Sequence, residues 1–263
     1  MDNTQQKSLL SKVPEITLYF WIIKVLCTTV GQTMADYLNT SLNLGLNGTS
    51  LVIGALLVIA LFFQFKTKTY TSFKYWIVVF LLSIFGTLIV DNLTDNLGIS
   101  LGLSTTIFTI LLGLTFLIWY SQEKTTSIKS ITNWKREAFY WVIILFTFAL
   151  GTASGDFISK VLGIGYLGTG IAIPGLIGIL IYAKKLGMNS ILVFWSIYIL
   201  TRPLGASIGD YLSQSSENGG LGLGTSITSL IFSLAILIVI GYLSITKKDL
   251  IILGNQAESK YRV

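Results

Sequence analysis

Four nine-residue stretches decide the reading of this chain: GQTMADYLN at 31–39, GTLIVDNLT at 86–94, GTASGDFIS at 151–159 and GASIGDYLS at 205–213. Each is a glycine, four residues, an aspartate, then an aromatic or Asn, a Leu or Ile and a small polar residue. The aspartates are Asp36, Asp91, Asp156 and Asp210. Fifteen residues before each stands a tryptophan preceded by Phe or Tyr, namely Trp21, Trp76, Trp141 and Trp195. After each comes a Gly-rich stretch with small hydroxyl residues and a second apolar run, so one unit is helix, hairpin, helix, repeated four times.

The apolar runs fix the class. Hydrophobic residues make up 52% of the 263 and charged residues only 11%, and the runs are long enough to cross a hydrocarbon core of about 30 Å. The expected fold is an all-α integral membrane protein, 1–263 being a single membrane domain. Its eight transmembrane helices form four parallel two-helix repeats at 13–66, 72–121, 136–184 and 190–246, followed by a cytoplasmic tail at 247–263. Helices are expected near 16–38, 50–65, 75–97, 104–121, 138–160, 169–183, 190–212 and 224–245, with the second of each pair short. Aspartate spacings of 55, 65 and 54 fit either pseudo-four-fold or paired pseudo-two-fold symmetry. The N-terminal segment reads as a retained helix rather than a cleaved leader.

Cations set the expected orientation. Fifteen of eighteen Lys and Arg lie in the N-terminus (Lys7, Lys12), the inter-repeat loops and the C-terminus (Lys247, Lys248, Lys260, Arg262). The positive-inside rule then puts both ends in the cytoplasm. The same rule accounts for the net charge of +6 without nucleic acid, and the expected partners are the lipid bilayer and an inorganic cation, with room for a homo-oligomer. No histidine is present, and the single cysteine, Cys27, lies within the first helix. Histidine base chemistry and thiolate metal sites are therefore excluded, no covalent cofactor is expected, and no distinct nucleophile or base marks an enzyme.

An intramembrane carboxylate normally faces a bundle interior or a water-filled pathway. On a helical wheel, positions eight and four before and three after each aspartate share its side. Those stripes read Thr28-Gln32-Asp36-Asn39, Ser83-Thr87-Asp91-Thr94, Phe148-Thr152-Asp156-Ser159 and Arg202-Ala206-Asp210-Ser213. Fourteen of the sixteen positions are polar, which identifies a pathway-lining face. Gly31, Gly86, Gly151 and Gly205 point away from it and suit close helix packing. Asp36, Asp91, Asp156 and Asp210 are the candidate metal or cation ligands, with Gln32, Asn39, Thr87, Thr94, Thr152, Ser159 and Ser213 beside them.

With the tryptophans at the inner headgroup boundary, fifteen helical residues, about 22 Å, put the aspartates in the outer third of the core. A competing reading has the carboxylates brace the hairpin amides. Arg202 is expected either to neutralise a carboxylate or to act as a positive gate, and Pro203 to loosen its helix. Lys24 is expected to snorkel to the cytoplasmic surface, and the tryptophans to anchor at the interface.

The repeated Gly-x-x-x-x-Asp with its upstream aromatic-Trp pair, and the opening KVPEITLYFWIIKVLCTTVGQTMADYL, resemble a family of bacterial membrane proteins made of four copies of a repeat of unknown function. The likeness runs from Val13 to Thr246 and implies a bacterial inner-membrane location and no assigned reaction. The residues themselves lead to transport of a cation. All-oxygen ligands fit the Mn²⁺, Mg²⁺ or Ca²⁺ class, in exchange for protons. A cation or proton channel with an aspartate ring, and a non-transporting scaffold or sensor, are the alternatives.

Overall fold

The computed structural model describes residues 11–41 and 43–249. Lys7, Lys260, Arg262 and the tail from 250 onward lie outside the described residues. Among the described residues eight helices are long and apolar enough to span a membrane: α1 (Leu18–Asp36), α2 (Gly45–Lys66), α3 (Ser72–Asp91), α4 (Leu101–Glu123), α5 (Trp134–Asp156), α6 (Gly165–Lys185), α7 (Ser190–Ser213) and α8 (Thr225–Thr246). The chain is a multi-pass, all-α membrane protein. Thr17, Ser100, Asn133 and Asn189 start α1, α4, α5 and α7 by accepting from backbone N–H groups of the first turn, which satisfies donors that no carbonyl reaches.

The first helix of each repeat is inside and the second outside. In the spans built on α1, α3, α5 and α7, 61–67% of the apolar window is buried, against 11–28% in the other four. The inner helices touch in the order α1, α3, α5, α7 and back to α1. Each outer helix leaves its own repeat and packs on the inner helix of the next: α2 on α3, α4 on α5, α6 on α7, and α8 on α1. One closed pseudo-four-fold ring results, and no repeat buries its inner helix alone.

Three details differ from expectation. The outer helices have full length, because the Gly-rich stretches at Gly45–Thr49 and Gly165–Thr169 already belong to their first turns; the reversal is made at Gly45 and Gly165, which hold positive φ. Pro203 does not break α7, which runs unbroken from Ser190 to Ser213. It acts as a packing knob, since a Cβ at Gly155 would stand 3.1 Å from its Cβ. Beyond Asp36, Asp91 and Asp156 the helix widens into a π-turn (Tyr37–Ser41, Asn92–Asn96, Phe157–Val161), whereas α7 keeps α geometry past Asp210. Such turns recur where a helix is adapted for function.

At the tryptophan end a short strap, residues 11–17, runs across the bundle. Its backbone pairs with three different places: Tyr70 N–H donates to Ser11 O, Lys12 N–H to Ile131 O, and Glu15 N–H to Asp249 O. Lys12 Nζ donates to Glu137 Oε2 at 2.6 Å and to Phe65 O at 3.1 Å, while Gln64 Nε2 donates to Glu137 Oε1 at 3.1 Å. Asp249 accepts from the Tyr70 and Ser72 hydroxyls, each at 2.6 Å. Burial, and then the charge of Asp249, raise the Tyr70 phenol above its ordinary value, so it stays a donor. Because Glu137 is buried beneath three donors, Glu137→Ala should cost about 3–5 kcal/mol, read as a fall in the thermal unfolding midpoint of the detergent-solubilised chain. An unchanged midpoint would mean that the strap does not brace the bundle.

Candidate functional site

The four motif glycines set the ring's geometry. A Cβ on Gly31 would collide with Ser83; one on Gly86 would lie 2.7 Å from Phe148 Cβ; one on Gly151 would lie 2.5 Å from Arg202 Cβ and Cγ; and one on Gly205 would collide with Thr28. Ser83, Phe148, Arg202 and Thr28 all stand eight residues before an aspartate. Glycine of one repeat thus receives the same position of the next, four times round the ring. The packing role expected of Gly31, Gly86, Gly151 and Gly205 has this physical form, and it brings the inner helices into one register. It also changes the polar stripe: at Thr28 and Ser83 the side chains are buried in helix seams rather than lining a pathway.

Common register puts the four aspartates at one level of the ring, in unequal surroundings. Asp156 and Asp210 are buried, whereas Asp36 and Asp91 are partly exposed. Lys160 Nζ donates to Asp156 Oδ2 at 2.7 Å, the one ion pair made by the four carboxylates among the described residues. Asp210 Oδ1 is buried with no hydrogen-bond partner among the described residues. Each of Asp36, Asp91 and Asp210 lies within the electrostatic reach of at least one other member of the set. Among the described residues, however, no three His, Cys, Asp or Glu side chains are gathered closely enough to hold a metal ion. The four carboxylates share a level without forming a coordination shell.

The bracing alternative fails on its hydrogen bonds. Hairpin amides donate to backbone carbonyls, as Leu44 to Leu38 O, Leu97 to Asn92 O and Leu162 to Phe157 O. Among the described residues the only side-chain donor to any of the four carboxylates is Lys160.

One turn toward the tryptophan end, Gln32, Thr87 and Thr152 are buried, and Arg202 occupies the centre. Its Nη1 donates to Thr28 O at 2.7 Å and its Nη2 to Gln32 Oε1 at 3.3 Å and to Thr87 Oγ1. Thr87 is on α3, which faces α7 across the ring, so the guanidinium bridges the axis. Arg202 does not pair with an aspartate; every acceptor it has is neutral, although the charges of all four aspartates reach it. Thr152 hydroxyl donates to Phe148 O at 3.0 Å. Of the positions three beyond the aspartates, Ser159 and Ser213 are buried and Asn39 and Thr94 partly exposed. Thr94 hydroxyl donates to Val90 O at 3.1 Å and to Asp95 Oδ1 at 2.9 Å.

Deeper still lies Lys24, fully buried, with Nζ 3.9 Å from the Phe148 ring centroid and 4.2 Å from that of Tyr198. It does not snorkel, because the ring closes around it before its chain can reach the helix end. Below it, the hydroxyls of Tyr75 and Tyr140 bond each other. Trp76, Trp141 and Trp195 are buried as well; they pack among these rings instead of anchoring at an interface. Extending the wheel by one turn would have found Lys24 and Tyr198, since both stand twelve residues before an aspartate. The Lys12 and Glu137 pair has no such sequence signal.

The site is therefore a layered axis through a tandem-repeat membrane ring: carboxylates, then a guanidinium, then the Lys24 amine between two aromatic rings. The chain belongs to the family described as Repeat of Unknown Function (DUF347), whose model matches it four times, at residues 19–70, 74–125, 139–186 and 193–249. No curated protein and no solved structure matches it.

Because Arg202 Cβ and Cγ fill the place a side chain at Gly151 would take, Gly151→Val should destabilise the fold by about 1–3 kcal/mol or more. Gly113→Val is the control, since nothing lies within 4 Å of a Cβ there, and should stay within about 0.5 kcal/mol. Equal unfolding midpoints for the two variants would remove the glycine seams from the account.

Proposed function

We propose that this protein carries an inorganic cation across the membrane, an oxygen-liganded ion of the Mn²⁺, Mg²⁺ or Ca²⁺ class exchanged for protons, by way of the aspartate layer of the ring. The observation that supports this reading is the set Asp36, Asp91, Asp156 and Asp210 at one level of a closed ring, with Asp210 buried and its Oδ1 without a hydrogen-bond partner among the described residues. A carboxylate so placed is costly, about 2.5–3.5 kcal/mol in a membrane even before burial from water in the bundle. A structural role would be expected to supply it with donors.

The filled axis favours a carrier over an open channel. Arg202, Lys24, Tyr75, Tyr140 and Tyr198 are all fully buried, so passage requires their rearrangement. Since no three acids among the described residues are gathered for a metal, ion binding requires Asp36 and Asp91 to move toward the buried pair. Lone buried carboxylates repel one another when ionised and so exchange protons for a cation. Arg202 supplies fixed positive charge on the path and acts as the gate. In this reading the aspartate end faces outward and the tryptophan end faces the cytoplasm of a bacterium, as the cationic loops require. No enzymatic step is part of it.

The test is ion flux in proteoliposomes across Mn²⁺, Mg²⁺, Ca²⁺, Na⁺ and H⁺. Asp210→Asn and Asp156→Asn should each lower flux at least about tenfold, a loss of about 1.4 kcal/mol or more, with smaller losses for Asp36→Asn and Asp91→Asn. Arg202→Gln should alter the voltage and pH dependence. Undiminished flux in folded aspartate variants would overturn the assignment.

A further inference from the structure

One seam of the ring is crossed by no inter-repeat loop. α1 and α3, α3 and α5, and α5 and α7 belong to consecutive repeats, but α7 and α1 belong to the last and the first. On the outer side of this seam a cleft of about 800 Å³, walled by α1, α6 and α7, opens at the tryptophan end.

The cleft has an apolar wall and a basic mouth. Val25 of α1, Ile177 and Ile181 of α6, and Ile197 and Leu204 of α7 line it, and at its rim Leu18 and Ile181 are 73% and 49% exposed. On a membrane-spanning helix such exposure is to acyl chains. Along α7 the lining runs from Ser190 to Leu204, about 21 Å of helix, enough to take the chain of one leaflet of a core roughly 30 Å thick. At the mouth, Lys129 from an inter-repeat loop and Lys184 from the last turn of α6 converge, opposed by the single acid Glu15. Both lysines are exposed, Lys184 in the last turn of α6 and Lys129 in the loop before α5, at the same end of the bundle.

We propose that this cleft binds one anionic phospholipid, with its phosphate between Lys129 and Lys184 and one acyl chain lying along α7 as far as Leu204. The net positive mouth selects headgroups that lack a compensating amine. The floor gives the site a consequence. Thr201 lines the cleft, and its carbonyl accepts from the Thr28 hydroxyl at 3.1 Å, while the neighbouring Arg202 donates to Thr28 O at 2.7 Å. A chain filling the cleft therefore presses on the seam that holds the central guanidinium, and lipid occupancy stabilises closure of the ring.

The experiment uses the full chain in detergent, with thermal unfolding and native mass spectrometry read in parallel. Dioleoylphosphatidylglycerol, dioleoylphosphatidylcholine and inorganic phosphate are added separately. Phosphatidylglycerol should be retained at one molecule per chain, raise the unfolding midpoint, and bind about tenfold more tightly than phosphatidylcholine, while inorganic phosphate alone should do neither. Lys129→Gln with Lys184→Gln, two exposed substitutions that leave the packing intact, should abolish the difference between the lipids. Equal retention of the two lipids, a response to phosphate alone, or a phosphatidylglycerol preference that survives the double substitution would overturn the proposal. No readout involves ion flux, so the lipid site and the transport reading fail independently.

Discussion

In a bilayer the hydrocarbon around a helix is as apolar as the helix, so association depends on close packing and on polar contacts rather than on exclusion of water. The contact of Gly31 with Ser83, Gly86 with Phe148, Gly151 with Arg202 and Gly205 with Thr28 meets that requirement four times with one geometry. It sets the distance between neighbouring inner helices, and because it joins the same two positions at every seam it also sets their register. The level of the aspartates, the height of Arg202 and the stacking of the aromatic rings all follow from it. The outer helices reinforce the arrangement by packing on the next repeat rather than on their own.

Within that frame the repeats have diverged where they meet the axis. Position −8 from the aspartate is a hydroxyl in two repeats, a phenyl ring in the third and an arginine in the fourth. The guanidinium takes neutral acceptors from α1 and α3, which satisfies it without cancelling its charge. Lys24 has no hydrogen-bond acceptor among the described residues and rests against two rings. Aromatic faces recover only about 2 kcal/mol from a desolvated ammonium, less than its burial costs. Arg202 and Lys24 are both costly to keep buried in a membrane, and both stand where only a central residue can touch opposite sides of the ring.

The two ends of the axis are closed by different means. The aspartate end is bounded by π-turns in three repeats and by a plain helix in the fourth, the one that carries Arg202 and Pro203. At the tryptophan end the strap of residues 11–17 ties two inter-repeat loops, at Tyr70 and Ile131, to Asp249. The first and last described segments thus meet over the same mouth, and ring closure involves Glu15 and Asp249 as well as the α1–α7 seam.

The repeat, the eight spans, the inner position of the aspartate-bearing helices and the packing role of the glycines were legible in the sequence, because each depends on hydrophobicity, spacing and side-chain size within one segment. The burial of Trp76, Trp141 and Trp195, the continuity of α7 through Pro203 and the full length of the outer helices were not, because each depends on what a neighbouring repeat supplies. Nothing in the local sequence says that Lys24 is enclosed before it reaches the helix end, or that Arg202 finds its acceptors on α1 and α3 rather than among the aspartates. Composition and periodicity determined that four polar helices line a membrane bundle. Only the tertiary structure decided which side chains reach its axis, since a side chain's surroundings in a ring are set by the helix opposite it, far away in sequence.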